Sequence, residues 1–361
     1  MGWTLACTRL MHRTRYRKRA GRATAHAIGV SGTSPPLALV QQVWSPASGR
    51  YSWAVSGAIQ VIQAELVEVD LGPAEIGEGP VWLADRAELA WVDIERGLIH
   101  LLDVAAGQAR TIAVGEMVGA IAPTMSGSLV AAVATGFVFV DPISGRIRRI
   151  VDLDPVDPTI RMNDGKADPW GRFWAGTMGL DKRPGAGNLY CLEPSLSVGL
   201  AVARVTISNG LDWTDDRSTM YYADTPTRRV DRFDLDPTGT LLSNRRPFIL
   251  VSAALGMPDG LTVDRAGQLW LALWGGSAVR GYSPSGEPTT IIRLPTSHVT
   301  SCTFGGPDLA DLYITTARSE LSAEQLRREP LAGRLFRCRP GAFGRPANQF
   351  DDTSPELLGA G

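Results

Sequence analysis

The sequence predicts an all-β protein, a six-bladed β-propeller built from short antiparallel strands. Three observations support this prediction. Short segments rich in Val, Ile, Trp, Tyr and Phe recur between Gly and Asp turns, as antiparallel strands do. They recur at a spacing of roughly 40 to 50 residues, which is the range of propeller blades. Helical periodicity is nearly absent, apart from one short helix expected within residues 319–328.

Six copies of one pattern follow each other along the chain, and in each an apolar strand leads through a polar turn to a second strand. The copies are Leu89–Asp93 with Gly97–Asp103, Ser128–Val133 with Gly136–Asp141, Arg172–Gly176 with Gly187–Leu192, Thr219–Asp224 with Arg229–Asp234, Gln268–Leu273 with Ala278–Ser283, and Asp311–Thr315 with Gly333–Cys338. One copy is too small to bury both of its faces, so the copies must stack. Closing them into a ring shields nearly all strand edges. An irregular sandwich is the alternative, but it does not account for the regular spacing.

Composition divides the chain into a basic extension over residues 1–62, the propeller over residues 63–345 and a tail over residues 346–361. Residues 1–64 contain no Asp or Glu but carry eight basic residues, seven of them between Arg9 and Arg22. We interpret the extension as disordered or spurious, and an Arg-rich targeting segment is the alternative. No secretory signal is expected, because no sustained apolar stretch follows the basic run.

Net charge and cysteine usage narrow the class of protein. The chain has 36 basic and 37 acidic residues, a net charge of −1. Without the eight basic residues of the extension, 28 basic residues face 37 acidic ones, so the remainder carries −9. Such a body suits cations better than nucleic acid. No apolar run is long enough to span a membrane. The four cysteines are far apart, which predicts reduced thiols and a cytoplasmic setting.

Three segments place an oxygen-bearing side chain beside glycine, directly before an apolar run. They carry Glu78, Asn209 and Asp259, and they belong to different repeats. Equivalent turns of a propeller meet at one mouth of its channel, so these side chains are expected to lie together. Two carboxylates and an amide oxygen favour a hard cation such as Ca²⁺, Mg²⁺ or Mn²⁺. Each segment is also compatible with an ordinary turn, Pro-Asp-Gly most of all.

A fourth segment crowds polar groups ahead of another strand. It contains Arg161, Asn163 and Asp164, followed by Gly165 and Lys166. Arg and Asn side chains can hydrogen-bond the hydroxyl groups of a polyol. The alternative is a capped turn formed by Asn-Asp-Gly.

Six motifs along the chain resemble, in order, the senescence marker protein/gluconolactonase/luciferin-regenerating-enzyme family. They are Gly-Glu-Gly-Pro-Val-Trp, Arg-Met-Asn-Asp-Gly-Lys, Ala-Gly-Thr-Met, Ser-Asn-Gly-Leu-Asp-Trp, Pro-Asp-Gly-Leu and Thr-Ser-Cys-Thr-Phe-Gly-Gly-Pro-Asp-Leu. The resemblance covers residues 65–340 and implies a six-bladed propeller with one divalent cation in its channel. It also implies an activity that opens sugar lactones.

By this resemblance, Glu78, Asn209 and Asp259 are the ligands of one divalent cation, which would be Ca²⁺, Zn²⁺, Mn²⁺ or Mg²⁺. Asp259 is also the implied general acid and base, and Arg161 and Asn163 match substrate-contacting positions. Asp181 stands where regucalcin, a member of the family, has a longer substrate-contacting Glu. The resemblance therefore implies Asp181 as a substrate contact and a different preferred sugar.

These observations together predict a metal-dependent lactonase that converts a sugar lactone to its aldonic acid. Two alternatives remain open at this point. One is an esterase or phosphotriesterase on the same scaffold, and the other is a non-catalytic propeller that binds calcium or another ligand. The expected partner is a small sugar lactone, with neither nucleic acid nor a membrane.

Overall fold

The chain folds into a ring of six β-sheets whose consecutive strands are antiparallel, which confirms the predicted six-bladed β-propeller. The computed structural model describes residues 40–45, 50–55, 58–153 and 156–353. Six sheets follow each other in chain order. The first strand of each sheet contacts the first strands of the sheets before and after it, and the sixth contacts the first. These six strands therefore line a central channel.

The first three blades contain four strands each. Blade 1 comprises β5 (Gly77–Leu83), β6 (Glu88–Asp93), β7 (Leu98–Asp103) and β8 (Gln108–Ala113). Blade 2 comprises β9 (Val118–Pro123), β10 (Leu129–Val133), β11 (Gly136–Val140) and β12 (Ile147–Asp152). Blade 3 comprises β13 (Ile160–Ala167), β14 (Phe173–Gly179), β15 (Gly187–Leu192) and β16 (Val198–Val205).

The other half of the ring contains the N-terminal strands as well. Blade 4 comprises β17 (Ser208–Trp213), β18 (Thr219–Asp224), β19 (Arg229–Leu235) and β20 (Leu242–Leu250). Blade 5 comprises β21 (Met257–Val263), β22 (Leu269–Trp274), β23 (Ala278–Tyr282), β24 (Pro288–Arg293) and β3 (Gln60–Gln63). Blade 6 comprises β25 (Val299–Gly305), β26 (Asp311–Thr316), β27 (Phe336–Cys338) and β4 (Glu65–Leu66).

The N-terminal strands join the end of the ring to its beginning. Strand β4 pairs antiparallel with β27 and completes the last blade, while β3 pairs parallel with the outer strand β24. The propeller therefore begins at residue 60 and overlaps the predicted extension at residues 60–62. Strands β1 (Val40–Ser45) and β2 (Arg50–Val55) pair as an antiparallel hairpin within that extension. The remaining residues before Ala58 lie outside the described part.

The hydrophobic core is divided among the blade interfaces. Alternate side chains of a strand point to opposite faces of its sheet. In β6, Ala90 and Val92 pack toward blade 2, whereas Leu89 and Trp91 pack toward blade 6. The same division gives one buried cluster at each of the six interfaces. Stacking of neighbouring blades therefore supplies the burial that one blade lacks.

Two segments outside the sheets also have defined structure. Helix α1 (Ala323–Arg328) lies between β26 and β27, where the sequence predicts a short helix, and Ser322 and Gln325 form a capping box at its start. The C-terminal segment crosses the ends of several blades: Phe350 N donates to the Pro123 carbonyl and Asp351 N to the Gly171 carbonyl. Residues 346–353 of the predicted tail are thus packed on the propeller. None of the helices in the described residues has the length and apolar character needed to cross a membrane.

Candidate functional site

The predicted ligand residues lie at bulges in the inner strands, not at the turns that the sequence suggests. Pairing slips by one residue after Glu78 in β5, after Asn209 in β17 and after Pro258 in β21. A comparable slip follows Met162 in β13. A bulge takes side chains out of the regular alternation and re-aims them. Because all inner strands begin at the same end of the channel, the bulges lie at one level.

Glycines beside the bulges let neighbouring inner strands approach closely. A Cβ atom on Gly210 would lie 2.5 Å from the Asp259 carbonyl oxygen of the next blade. On Gly260 it would lie 2.1 Å from the Ser301 Oγ. Both separations are too short for a Cβ atom, so only glycine fits at these two positions. Glycine at these positions brings the inner strands together around the site.

A chain of hydrogen bonds joins blades 3, 4 and 5 across this level. Arg161 Nη1 donates to Asn163 Oδ1 at 2.6 Å, and Asn163 Nδ2 donates to Asn209 Oδ1 at 3.0 Å. Asn209 Nδ2 donates to Thr225 Oγ1, which in turn donates to the Pro258 carbonyl, both at 2.8 Å. Thr225 therefore fixes which way the Asn209 amide faces. Nothing in Thr-Pro-Thr suggested this from sequence, because that tripeptide is compatible with any polar turn.

The acidic residues at this level are buried and keep their protons more tightly than usual. Glu78 and Asp259 are 3% and 5% exposed. Burial raises the pKa of Glu78, and the nearby charge of Asp259 raises it further. Burial, then the charge of Asp164, raises the pKa of Asp259. The charge of Arg161 lowers both pKa values, but by less than burial raises them. When both carboxyl groups ionise, the site therefore holds an excess of buried negative charge.

A divalent cation fits this excess. Glu78 and Asp259 offer carboxylate oxygens and Asn209 offers an amide oxygen, the donor atoms that hard cations prefer. Among the described residues, no three His, Cys, Asp or Glu side chains converge as a metal cluster. The candidate set differs from such a cluster because one of its three members is an amide. Its chemistry suits a cation that keeps further positions for water or substrate.

Asp164 and Asp212 lie further along the inner strands β13 and β17, toward the opposite end of the channel. Burial raises the pKa of Asp164 to about 6. Asp212 is buried and accepts hydrogen bonds from Lys166 Nζ at 3.1 Å and from Val263 N at 2.9 Å. Asp164, Lys166 and Asp212 line a cavity of about 510 Å³ that continues along the channel to the C-terminal segment at Arg345. Glu78, Asn209 and Asp259 are not among its lining residues.

Asp181 is the one predicted site residue that the structure does not bring to this cluster. Its side chain is 58% exposed and accepts hydrogen bonds from the backbone and guanidinium of Arg183. The pKa of Asp181 is lowered, first by the Arg183 backbone hydrogen bond. Asp181 lies in a loop at the mouth of the channel, but its carboxylate is bound by Arg183.

Residues 76–318 match the SMP-30/Gluconolactonase/LRE-like region, and the chain therefore belongs to that family. Regucalcin from Danio rerio is 38% identical over 266 residues, which cover 73% of this chain and 90% of the relative. A pentonolactonase from Haloferax volcanii is 37% identical over 286 residues, covering 76% and 94%. The solved structure of a calcium-binding protein, regucalcin, from Agrobacterium tumefaciens superimposes with a TM-score of 0.77 at 28% identity, covering 81% and 99%.

Proposed function

We propose that this member of the SMP-30/gluconolactonase/LRE-like family is a divalent-cation-dependent lactonase that opens a sugar lactone to its aldonic acid. The observation that carries the proposal is a pair of buried carboxyl groups, Glu78 and Asp259, which lie within the electrostatic influence of Arg161. Arg161 begins a hydrogen-bonded chain that continues through Asn163 to Asn209. Relatives that include a pentonolactonase support the same chemistry.

In this proposal Glu78, Asn209 and Asp259 hold the cation. When bound, the cation would polarise the lactone carbonyl and stabilise the negative charge that develops on its oxygen. Glu78 and Asp259 together balance a charge of +2. Thr225 holds the Asn209 amide so that its nitrogen is engaged and its oxygen remains available. Asn163 Nδ2 donates to that same oxygen, which limits how far the amide can rotate.

Asp259 also acts as the general base. Its carboxylate takes a proton from the water that attacks the lactone carbonyl carbon, and a new C–O bond forms. The bond between that carbon and the ring oxygen then breaks, and Asp259 returns the proton to the ring oxygen. Burial favours this role because it raises the proton affinity of Asp259. A bound cation has the opposite effect on the pKa, so the two influences partly offset each other.

Arg161 and Asn163 bind the hydroxyl groups of the sugar. Both hydrogen bonds of Arg161 use Nη1, one to the Met162 carbonyl and one to Asn163 Oδ1, which leaves Nη2 for a substrate hydroxyl. Arg161 is 7% exposed, and burial lowers its pKa to about 10, so it remains charged at neutral pH. Asp181 would contact the sugar only if its carboxylate released Arg183 and bound the substrate instead.

A non-catalytic cation-binding propeller is the second candidate, because one structural relative is described as a calcium-binding protein. It would use the same three ligands and release no acid from a lactone. An esterase or phosphotriesterase on this scaffold would have less use for the polyol contacts of Arg161 and Asn163.

A pH-stat assay separates these functions. The full chain is stripped with a chelator and then supplied with Ca²⁺, Zn²⁺, Mn²⁺ or Mg²⁺ in turn. Each form is offered a panel of aldonolactones, a simple aryl ester and a phosphotriester. We expect cation-dependent acid release from lactones above the spontaneous rate, with the ester and phosphotriester turned over more slowly. Cation binding without acid release from any lactone would instead identify a binding protein.

A further inference from the structure

An ion pair connects the loops of two opposite blades. Lys182 lies in the loop between β14 and β15 of blade 3, and Glu320 lies in the loop between β26 and β27 of blade 6. Lys182 Nζ donates to Glu320 Oε1. Since two blades separate blade 3 from blade 6 in either direction around the ring, a contact between their loops must cross over the channel.

The pair lies at the channel end that holds the candidate site. The second strand of each blade runs antiparallel to the inner strand, so the loop that follows it returns to the end where the inner strands begin. Glu78, Asn209 and Asp259 belong to the first residues of their inner strands. The charge of Glu320 also acts on the buried Arg161. The ion pair is therefore placed over the proposed sugar-binding side.

Both loops hold their charged residues at tight bends. Lys182 and Glu320 have left-handed φ values of 57° and 66°, which are uncommon for residues other than glycine. The Glu320 loop is anchored to blade 1, where Arg318 N and Ser319 N both donate to the Glu75 carbonyl at 2.9 Å. The Lys182 loop is held by the Lys182 N bond to the Gly179 carbonyl, also 2.9 Å. These anchors present the two side chains to each other.

We propose that Lys182 and Glu320 are specificity-determining residues whose ion pair roofs the site and limits the size of the lactone that binds. This inference rests on the proposed lactonase function. In this proposal a lactone of one sugar binds beneath the pair, whereas a lactone that carries a second sugar would have to separate the two charges. The two side chains are 46% and 45% exposed, so the pair is a weak barrier that opens readily.

Charge reversal and charge exchange test this roof. The variants are Lys182→Glu, Glu320→Lys and the double exchange of both. Glu324→Lys is the matched control, because Glu324 also lies between β26 and β27 but pairs with Arg328 within α1. Each variant is assayed with glucono-1,5-lactone and with an aldonolactone that carries a second sugar. Backbone hydrogen exchange is measured in the loops at 180–186 and 317–322.

We expect each single reversal to raise the kcat/KM ratio of the larger to the smaller lactone roughly two- to fivefold, as for an exposed ion pair. Each should also speed hydrogen exchange in the opposite loop. The double exchange should restore both readouts, and the control should change neither. An unchanged ratio in all variants, or exchange that responds only in the mutated loop, would overturn the inference. Coupled loop exchange without turnover of either lactone would sustain the roof and refute the lactonase function.

Discussion

Asn163 and Asn209 face each other across the boundary between blades 3 and 4, and the Asn163 amide nitrogen donates to the Asn209 amide oxygen at 3.0 Å. This bond connects the proposed sugar contacts to the proposed cation ligands. Neither residue is charged, so the link keeps its geometry over a wide pH range.

Thr225→Val should weaken cation binding without removing a ligand. The substitution keeps the shape of the side chain but leaves Asn209 Nδ2 and the Pro258 carbonyl unpaired, at about 1–3 kcal/mol for such a buried group. We expect a lower cation affinity by calorimetry and nearly normal kcat once the cation is saturating. Thr124→Val is the control, since Thr124 is also buried but directly follows β9, at the opposite end of the channel. Equal cation affinities in both variants would contradict the orienting role.

Arg161→Ala should impair substrate use and spare the cation. Loss of the guanidinium contacts should lower kcat/KM by roughly 10- to 100-fold, equivalent to about 1–3 kcal/mol of transition-state binding. Because the positive charge of Arg161 opposes a cation nearby, its removal should leave cation affinity unchanged or slightly higher. Steady-state kinetics and calorimetry on the same preparation test both parts. Loss of cation binding with intact kinetics would show that Arg161 supports the cation and does not contact the substrate.

The cation-free protein should lose stability as pH rises through the mildly acidic range. Burial raises the pKa values of Glu78, Asp164 and Asp259 in the folded state, that of Asp164 to about 6. A carboxyl with a raised pKa favours folding below its ordinary pKa, and this contribution is lost as pH rises through the raised value. Thermal unfolding of the chelated protein should therefore show a falling midpoint from about pH 4 upward.

Added cation should reverse this trend, because it binds the ionised carboxylates. The increase in unfolding temperature on adding Ca²⁺ should be larger at pH 8 than at pH 5. In Glu78→Gln the chelated protein should depend less on pH and gain less from Ca²⁺. An increase in unfolding temperature that is the same at both pH values would show that these carboxylates do not bind the cation.

Phe350→Ala should destabilise the propeller although Phe350 lies beyond the last strand. Its ring is fully buried between blades 2 and 3, 6.0 Å from the ring of Phe139. Truncation of a buried Phe costs about 3–5 kcal/mol. Phe343 is the matched control in the same segment, because its ring is 52% exposed and Phe343→Ala should change stability by only about 0.5 kcal/mol or less. Denaturant unfolding that gives similar values for both would contradict this packing.

The sequence predicted the propeller because each blade has its own alternating pattern and the spacing repeats. It did not predict the closing strands, since β3 and β4 contain four and two residues and show no alternation. Their positions depend on pairing with strands more than two hundred residues away. The burial of Phe350 depends on a distant contact in the same way. Long-range strand pairing therefore explains why the propeller includes residues 60–62 of the predicted extension. The distant contacts of Phe350 explain why the C-terminal segment packs on the propeller.

The chemistry of the site was more accessible from sequence than its geometry. Glu78, Asn209 and Asp259 stood out because oxygen-bearing side chains lie beside glycines, and the structure places all three at one level. Their bulges could not be predicted, because a bulge is defined by the register with a partner strand. Thr225 contacts Asn209, and Glu320 pairs with Lys182, from segments whose composition is ordinary. For Asp181, the local competition from Arg183 decides where the carboxylate points.

The central claim is that Asp259 serves both as a cation ligand and as the general base. Asp259→Asn keeps one coordinating oxygen but removes the charge and the basicity, whereas Asn209→Ala removes a ligand and no base. The measurement is lactone turnover of both variants at saturating cation, where weakened binding is compensated. We predict that Asn209→Ala recovers most of its activity, while Asp259→Asn stays roughly 10²- to 10⁴-fold below the unmodified protein. Equal recovery of the two variants would contradict the claim and leave Asp259 as a ligand alone.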